Sequence, residues 1–171
     1  MRLAVLPLVL AMALAGCGYH VAGRASRLPK DVHTIAIPGF ANQTQTYKIE
    51  QLLTSAVVRE MLTRTHYRIV NQADESADAV LQGTVLTAQV APVTYDSATG
   101  RASSALVTIT ARVTLVDRHN KTLFEQPNYV FRAQYQVSRE LSSFFQEEAP
   151  AMDRLSRDFA RTLVSNLLEG F

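Results

Sequence analysis

A strict two-residue alternation over residues 105–115 constrains the fold more than any other feature of this sequence. The odd positions are all apolar: Ala105, Val107, Ile109, Ala111, Val113 and Leu115. The even positions from 108 to 114 are all polar: Thr108, Thr110, Arg112 and Thr114. Successive side chains of a β-strand point to opposite faces of its sheet. The pattern therefore predicts a strand with one face on an apolar core and the other in water or against a polar surface.

Segments on both sides of this strand also have strand patterns. In residues 122–137, apolar side chains alternate with Arg132, Gln134 and Gln136, which predicts the next strand of an antiparallel meander. In the run that begins near Ala79, the apolar positions change parity, and this predicts a bulge near Val85 or Leu86. Pro92 marks an edge position or the end of regular pairing. Two short strands are predicted over residues 32–37 and 67–70.

Two amphipathic helices complete the predicted domain. In residues 47–64 the apolar positions have helical spacing: Ile49, Leu52, Leu53, Ala56, Val57 and Met61. Residues 42–46 offer side chains to cap that helix. Residues 147–150 open the second helix, whose apolar stripe is Met152, Leu155, Phe159, Leu163, Val164 and Leu167. The predicted fold is an α+β two-layer sandwich: a mostly antiparallel sheet of about four to five strands, with two helices packed on one face.

The N-terminal segment is typical of a secretory signal. Arg2 precedes an apolar run that is too short for a roughly 20-residue membrane span. The segment Leu14-Ala15-Gly16-Cys17 resembles the bacterial lipobox, after which the cysteine thiol is acylated. An ordinary signal peptide with an incidental buried cysteine is the alternative. We predict a lipoprotein signal peptide at residues 1–16, a lipidated N-terminus and linker at 17–31, and one α+β domain at 32–171.

Charge, cysteine content and motifs exclude several classes of protein. The 17 basic and 15 acidic residues are scattered and give a net charge of only +2, so a dedicated nucleic-acid binder is not expected. One cysteine makes neither an internal disulfide nor a cysteine-based zinc site. The sequence has no serine-hydrolase elbow, zinc-protease motif, phosphate loop or dinucleotide fingerprint. We predict no enzyme activity, no metal and no cofactor.

The polar side of the predicted sheet supplies candidate binding residues. Thr108, Thr110, Arg112, Arg132 and Gln134 would share one uncovered face. A solvated face accounts for this pattern, and so does a face that docks into a polar cavity or onto a polar ligand. Arginine binds phosphate through a planar fork. The loop at residues 95–101 joins two strands and presents a further candidate, Arg101, at one end of the sheet.

Several segments of the chain, in order, resemble a known family. They are Cys17-Gly18-Tyr19-His20, Thr34-Ile35-Ala36-Ile37-Pro38, Phe40-Ala41-Asn42 and the run from Ala77-Asp78-Ala79 to Gly83-Thr84-Val85. Two alternating strands and an amphipathic helix beginning near Glu147 follow. This order resembles the LPS-assembly lipoprotein family, LptE, whose fold is a sheet with two helices on one face.

The resemblance implies a function. Members of the family are outer-membrane lipoproteins that plug LptD, the β-barrel of the lipopolysaccharide (LPS) translocon, assist its assembly and bind LPS on its way to the outer leaflet. The implied partners are an LptD-type barrel, LPS and, through acylated Cys17, outer-membrane lipids on the periplasmic side. Gly18 agrees with outer-membrane sorting signals. The candidate contacts to LPS or to the barrel lumen are Arg101, Arg112, Arg132, Thr108, Thr110 and Gln134.

A second resemblance points to another class of outer-membrane lipoproteins. The order of elements also looks like that of the curli-secretion and penicillin-binding-protein-activator lipoproteins, which act through protein–protein contacts. An activator needs a long arm, whereas residues 18–31 span at most about 50 Å when fully extended. A pore former needs additional amphipathic hairpins. Both points favour the translocon function.

Overall fold

The computed structural model describes residues 28–137, 144–147 and 149–169. The predicted signal peptide, the predicted lipidation site Cys17 and most of the predicted linker lie outside these residues. Lipidation and sorting to the outer membrane therefore stay predictions. Leu28 is already buried in the core, just before the predicted start of the domain.

The described residues form a sheet of six strands with helices on one side. The strands are β1 Thr34–Ala36, β2 Ala41–Asn42, β3 Arg68–Val70, β4 Ala79–Tyr95, β5 Ala102–Asp117 and β6 Thr122–Gln136. The helices are α1 Ile49–Arg64, α2 Phe144–Glu147 and α3 Ala149–Glu169. The predicted α+β class is confirmed, with six strands rather than four to five.

The sheet is mixed, with the strand order β3-β1-β4-β5-β6 and with β2 paired to β4. The strands β4, β5 and β6 form the predicted antiparallel meander. At the other side, β1 runs parallel to both β3 and β4, and β2 runs parallel to β4. α1 provides the crossover that lets β1 and β3 pair in parallel, because neighbouring parallel strands need a connection that returns the chain to the same end of the sheet.

The predicted bulge in β4 is confirmed, since the register with β5 shifts between Val85 and Thr87. Before the shift, Leu81 and Val85 are fully buried. After it, the helix side is taken by Ala88, which pairs with buried Ile109, while Gln89 is exposed. The one extra residue at the bulge thus keeps the apolar side chains of β4 on the helix side of the sheet both before and after it.

The predicted cap of the first helix is wrong. The N-cap residue is Lys48, which has a left-handed φ of 56° and makes no side-chain cap bond. The Asn42 side chain closes the preceding turn instead, because its oxygen accepts the Thr44 N–H at 2.8 Å and its amide donates to the Thr46 carbonyl at 2.9 Å. A second correction concerns the apolar stripe of α1, where Leu52 is 40% exposed.

The apolar stripe of α3 is buried along its whole length. The ring of Phe159 meets Tyr129 and Phe131 of β6 edge to face, at centroid distances of 5.5 and 5.8 Å. Arg64 at the end of α1 donates to the Ser165 hydroxyl of α3 at 2.7 Å, which links the two long helices. The core therefore lies between these helices and one side of the sheet.

The Tyr129 hydroxyl is buried and, within the described ranges, has no hydrogen-bond partner. A buried polar atom without a partner costs about 1–3 kcal/mol. Tyr129→Phe removes that atom and keeps the ring contact with Phe159. We expect the free energy of unfolding at neutral pH to rise by about 1 kcal/mol, measured by urea denaturation. A loss of stability would show that the hydroxyl is bonded.

The same variant tests how the free energy of unfolding depends on pH in the alkaline range. Burial raises the pKa of Tyr129 to about 12, from an ordinary value of 10.0. The unfolded chain therefore loses this proton first, and the stability of the native state falls as pH rises from 10.0 to about 12. We expect a shallower fall in Tyr129→Phe. Part of the fall remains, since burial also raises the pKa of Tyr135. An equally steep fall in variant and wild type would contradict the assignment.

Candidate functional site

The sheet presents mostly polar side chains on the side away from the helices, with the apolar Val130 among them. We call these residues the open face: Gln82, Thr84, Thr87 and Gln89 of β4, Thr108, Thr110, Arg112 and Thr114 of β5, and Glu125, Val130, Arg132, Gln134 and Gln136 of β6. All of them are exposed or half-buried. The opposite side of β5 is fully buried at every odd position over residues 105–115. The predicted division of the sheet into an apolar and a polar side is confirmed.

The strand register places three of the predicted contact residues close together. Arg132 lies opposite Thr108, and Thr108 lies opposite Gln89. In the next row, Thr110 stands between Thr87 and Val130. Because directly opposite side chains are about 5 Å apart, each row forms a continuous strip across three strands. This part of the open face offers hydroxyl, amide and guanidinium groups to one partner surface.

Arg112 lies apart from Arg132. The register between β5 and β6 shifts between Ala111 and Val113, so Arg112 has no paired residue on β6 and its β4 partner is Thr84. Four residues along the strand separate it from Thr108, about 13 Å. The two arginines therefore lie on separate parts of the open face.

Arg101 lies at the far end of the sheet, in an ordered turn between β4 and β5. The Asp96 carboxylate accepts the Thr99 N–H at 2.7 Å and the Thr99 hydroxyl at 2.8 Å. The bond from the Thr99 hydroxyl is the main cause that lowers the pKa of Asp96. Gly100 takes the left-handed φ of 69° that the turn requires. The turn places Arg101 about 23 Å from Thr108, so it forms no single site with the other arginines.

A cleft of about 760 Å³ opens near this end of the sheet. Its lining residues are Thr94, Ser103, Ser104, Gln134, Tyr135, Gln136, Val137, Pro150 and Arg154. The Ser104 hydroxyl bonds to Thr94 Oγ1 at 2.6 Å and accepts from the Gln134 amide at 2.9 Å. The sequence pattern predicts Gln134 as a contact residue but does not single out Ser104 or Arg154. The polar pair before Ala105 was a signal for Ser104, whereas nothing in the pattern of α3 marked Arg154.

No group of three or more His, Cys, Asp and Glu side chains in residues 28–137, 144–147 and 149–169 is placed to hold a metal ion. Of the helices in those ranges, none has the length and apolar character needed to cross a membrane.

The fold and the open face define a two-layer α+β domain with a polar sheet surface available to a partner. Residues 32–167 match the model of the LptE family, whose description is lipopolysaccharide-assembly. The chain therefore belongs to this family. The family resemblance of the sequence is thereby confirmed, and the chain is assigned to the lipoproteins of LPS assembly.

Solved structures share this fold at low sequence identity. The uncharacterized lipoprotein B from Nitrosomonas europaea is 16% identical, with a TM-score of 0.51, covering 88% of this chain and 90% of that one. The hypothetical protein CT253 from Chlamydia trachomatis is 10% identical, with a TM-score of 0.50 and coverages of 82% and 99%. Protein XCC0632 from Xanthomonas campestris is 16% identical, with a TM-score of 0.50 and coverages of 82% and 86%. No protein of curated function matches the sequence.

Proposed function

We propose that this chain is a lipid-anchored outer-membrane lipoprotein that plugs the LptD-type barrel of the LPS translocon, assists its assembly and helps deliver LPS to the outer leaflet. The observation that carries the proposal is the composition of the open face. Wide outer-membrane barrels have polar interiors. A surface rich in threonine, glutamine and arginine forms hydrogen bonds with the polar groups of such a lumen. An apolar surface leaves those groups unpaired.

The anchor in this proposal is acylated Cys17. Each buried CH₂ of a lipid chain adds about 0.8 kcal/mol, and stable anchoring takes more than one chain. Because residues 18–31 span at most about 50 Å, the domain stays close to the membrane that holds its anchor. This arrangement suits a plug for a barrel in the same membrane.

The LPS contacts in this proposal lie at the loop end of the sheet. The cleft combines the hydroxyl of Ser104, the amide of Gln134 and the guanidinium of Arg154, with Arg101 exposed on the neighbouring turn. Hydroxyl and amide groups hydrogen-bond sugars, and guanidinium groups pair with phosphate. A phosphorylated saccharide matches this set of groups. Arg112 and Arg132 remain the predicted contacts to lipid A phosphates or to the lumen wall.

The direct test isolates the chain with its partners. A C-terminally tagged chain is extracted from native outer membranes in mild detergent, and the co-purifying proteins and lipids are identified by mass spectrometry. We expect a barrel of translocon size in a one-to-one ratio. Recovery of the chain in a large ring of its own copies, or with a peptidoglycan synthase, would overturn the proposal and favour the other class of outer-membrane lipoproteins.

Variants of the open face test which side chains contact the barrel. Arg112→Gln and Arg132→Gln are each expected to lower barrel recovery about five-fold, roughly 1 kcal/mol of binding free energy. Arg59→Gln is the matched control, because Arg59 is exposed on α1, in the helical layer. Equal recovery for all three variants would show that the open face does not contact the barrel.

A further inference from the structure

Within the part of the chain that the structure describes, the outer edge of β6 is open for strand pairing. β6 ends the strand order β3-β1-β4-β5-β6, and none of the described strands lies beyond it. On its inner side it pairs with β5 as far as Gln136 opposite Ser104. An unpaired edge presents a row of backbone N–H and C=O groups to any strand that approaches.

Ladder geometry identifies the backbone groups that point outward. The Val137 N–H donates to the Ser103 carbonyl at 3.0 Å, so these two residues form a hydrogen-bonded pair of the antiparallel ladder. Hydrogen-bonded and non-hydrogen-bonded pairs alternate along such a ladder. The non-bonded positions, whose N–H and C=O groups point away from β5, are Val130, Arg132, Gln134 and Gln136. These same residues direct their side chains to the open face.

The two long free edges of the sheet differ in their protection. Past Val85 the outer edge of β4 carries Pro92, and its register is broken between Pro92 and Tyr95. Proline and bulges are the usual devices that block strand addition. On β6, residues 128–136 contain no proline, glycine or lysine, and they pair with β5 in unbroken register from Tyr129 onward. The β6 edge is therefore the unprotected one.

The edge is also held in place before any partner binds. Phe131 and Tyr135 are 7% exposed, and the Tyr135 hydroxyl donates to the Asp158 carboxylate of α3 at 3.2 Å. A strand fixed in this way loses little conformational entropy on pairing.

Charge indicates what kind of strand fits. Arg132 is the single charged residue in the segment 128–136. In the antiparallel register that pairs all of the outward groups, a second copy of this chain would place two Arg132 side chains diagonally opposite each other, so neither would gain an opposite charge. A foreign strand with a carboxylate facing Arg132 fits better. The outward backbone groups belong to residues whose side chains lie on the open face. A partner that already covers the open face can therefore reach this edge as well.

We infer that β6 receives, along its outer edge, an extended strand contributed by the barrel partner, polar and acidic on the open-face side. The identity of that partner rests on the proposed function. A closed barrel has no free strand edges. The added strand therefore comes from a segment of the partner outside its barrel wall, and its main-chain bonds supply affinity in the manner of strand addition.

Hydrogen exchange on the lipidated full chain, alone and in complex with the barrel, tests this inference. In the chain alone, we expect slow exchange at the inward amides of residues 129–135 and fast exchange at Val130, Arg132 and Gln134. In the complex, all of these amides are expected to exchange slowly, while those β4 amides of residues 87–95 that point away from β5 stay fast. No change at β6, or equal slowing at both edges, would overturn the inference. So would slow outward amides in the chain alone, the result of self-pairing.

A proline substitution separates the backbone from the side chain. Val130→Pro removes one outward N–H, and Val130→Ala keeps it while shortening the same side chain. We expect barrel recovery to fall about five-fold in Val130→Pro relative to Val130→Ala, with the inward amides of β6 still slow as proof of folding. Equal recovery would overturn strand addition while leaving the proposed function intact. Failure of the wild type to recover any barrel would instead overturn the proposed function.

Discussion

Asp78→Ala is expected to lower the free energy of unfolding by about 3 kcal/mol, since the buried Asp78 carboxylate connects β1 to the start of β4. Asp78 is 9% exposed, and its Oδ2 accepts the backbone N–H groups of His33 and Thr34, each at 2.8 Å. Its Oδ1 pairs with the Arg118 guanidinium. The alanine variant leaves both N–H groups without this acceptor and removes the anion that pairs with Arg118. Urea denaturation followed by circular dichroism measures the loss.

Two further variants assign the loss to the backbone bonds. Arg118→Ala removes a guanidinium that is 55% exposed, so we expect it to cost less than 1 kcal/mol. Asp78→Asn keeps an oxygen acceptor, so its cost should lie between those of the other two variants. If Asp78→Ala cost no more than Arg118→Ala, the bonds from the backbone N–H groups to the Asp78 carboxylate would not stabilise the fold.

Gly83→Ala is expected to cost about 2 kcal/mol, because it overfills the space beneath an aromatic ring. A Cβ at Gly83 would lie 2.6 Å from three ring atoms of Phe40. That ring is 4% exposed, and the Phe40 N–H donates to the Thr54 hydroxyl of α1 at 3.0 Å. The ring therefore has little freedom to move away. Thermal or urea unfolding measures the effect.

Gly39→Ala is the matched control for this prediction. A Cβ at Gly39 has nothing within 4 Å, so the change in stability should stay below about 0.5 kcal/mol. Combining Gly83→Ala with Phe40→Leu should cost less than the sum of the two single variants, since the smaller side chain makes room for the new methyl group. Strictly additive costs would mean that Gly83 and Phe40 do not share this space.

Local periodicity accounts for what the sequence predicted well. The alternation over residues 105–115, the apolar stripe of α3 and the parity change near Val85 are each contained in one continuous segment. Since strand and helix periods place side chains on defined faces, these patterns determine which side is buried. The open face and the places of Thr108 and Arg132 on it follow from the same rule.

Contacts between distant segments account for what the sequence did not predict. The parallel strands depend on β1 pairing with both β3 and β4, and no local pattern shows this. The approach of Phe40 to Gly83 and the place of Arg154 in the cleft likewise join separate elements. The separation of Arg112 from Arg132 depends on the pairing of Arg132 with Thr108, which only the paired strands reveal.

The mixed sheet also has a consequence for the order in which the protein folds. β4, β5 and β6 are joined by short turns, so their pairing closes small loops and costs little entropy. β1 enters between β3 and β4 and meets Ala79 through Ile35, with all of α1 between them in the chain. Non-local pairing of this kind forms slowly. We expect the meander to form first and β1, the first strand of the described chain, to pair last.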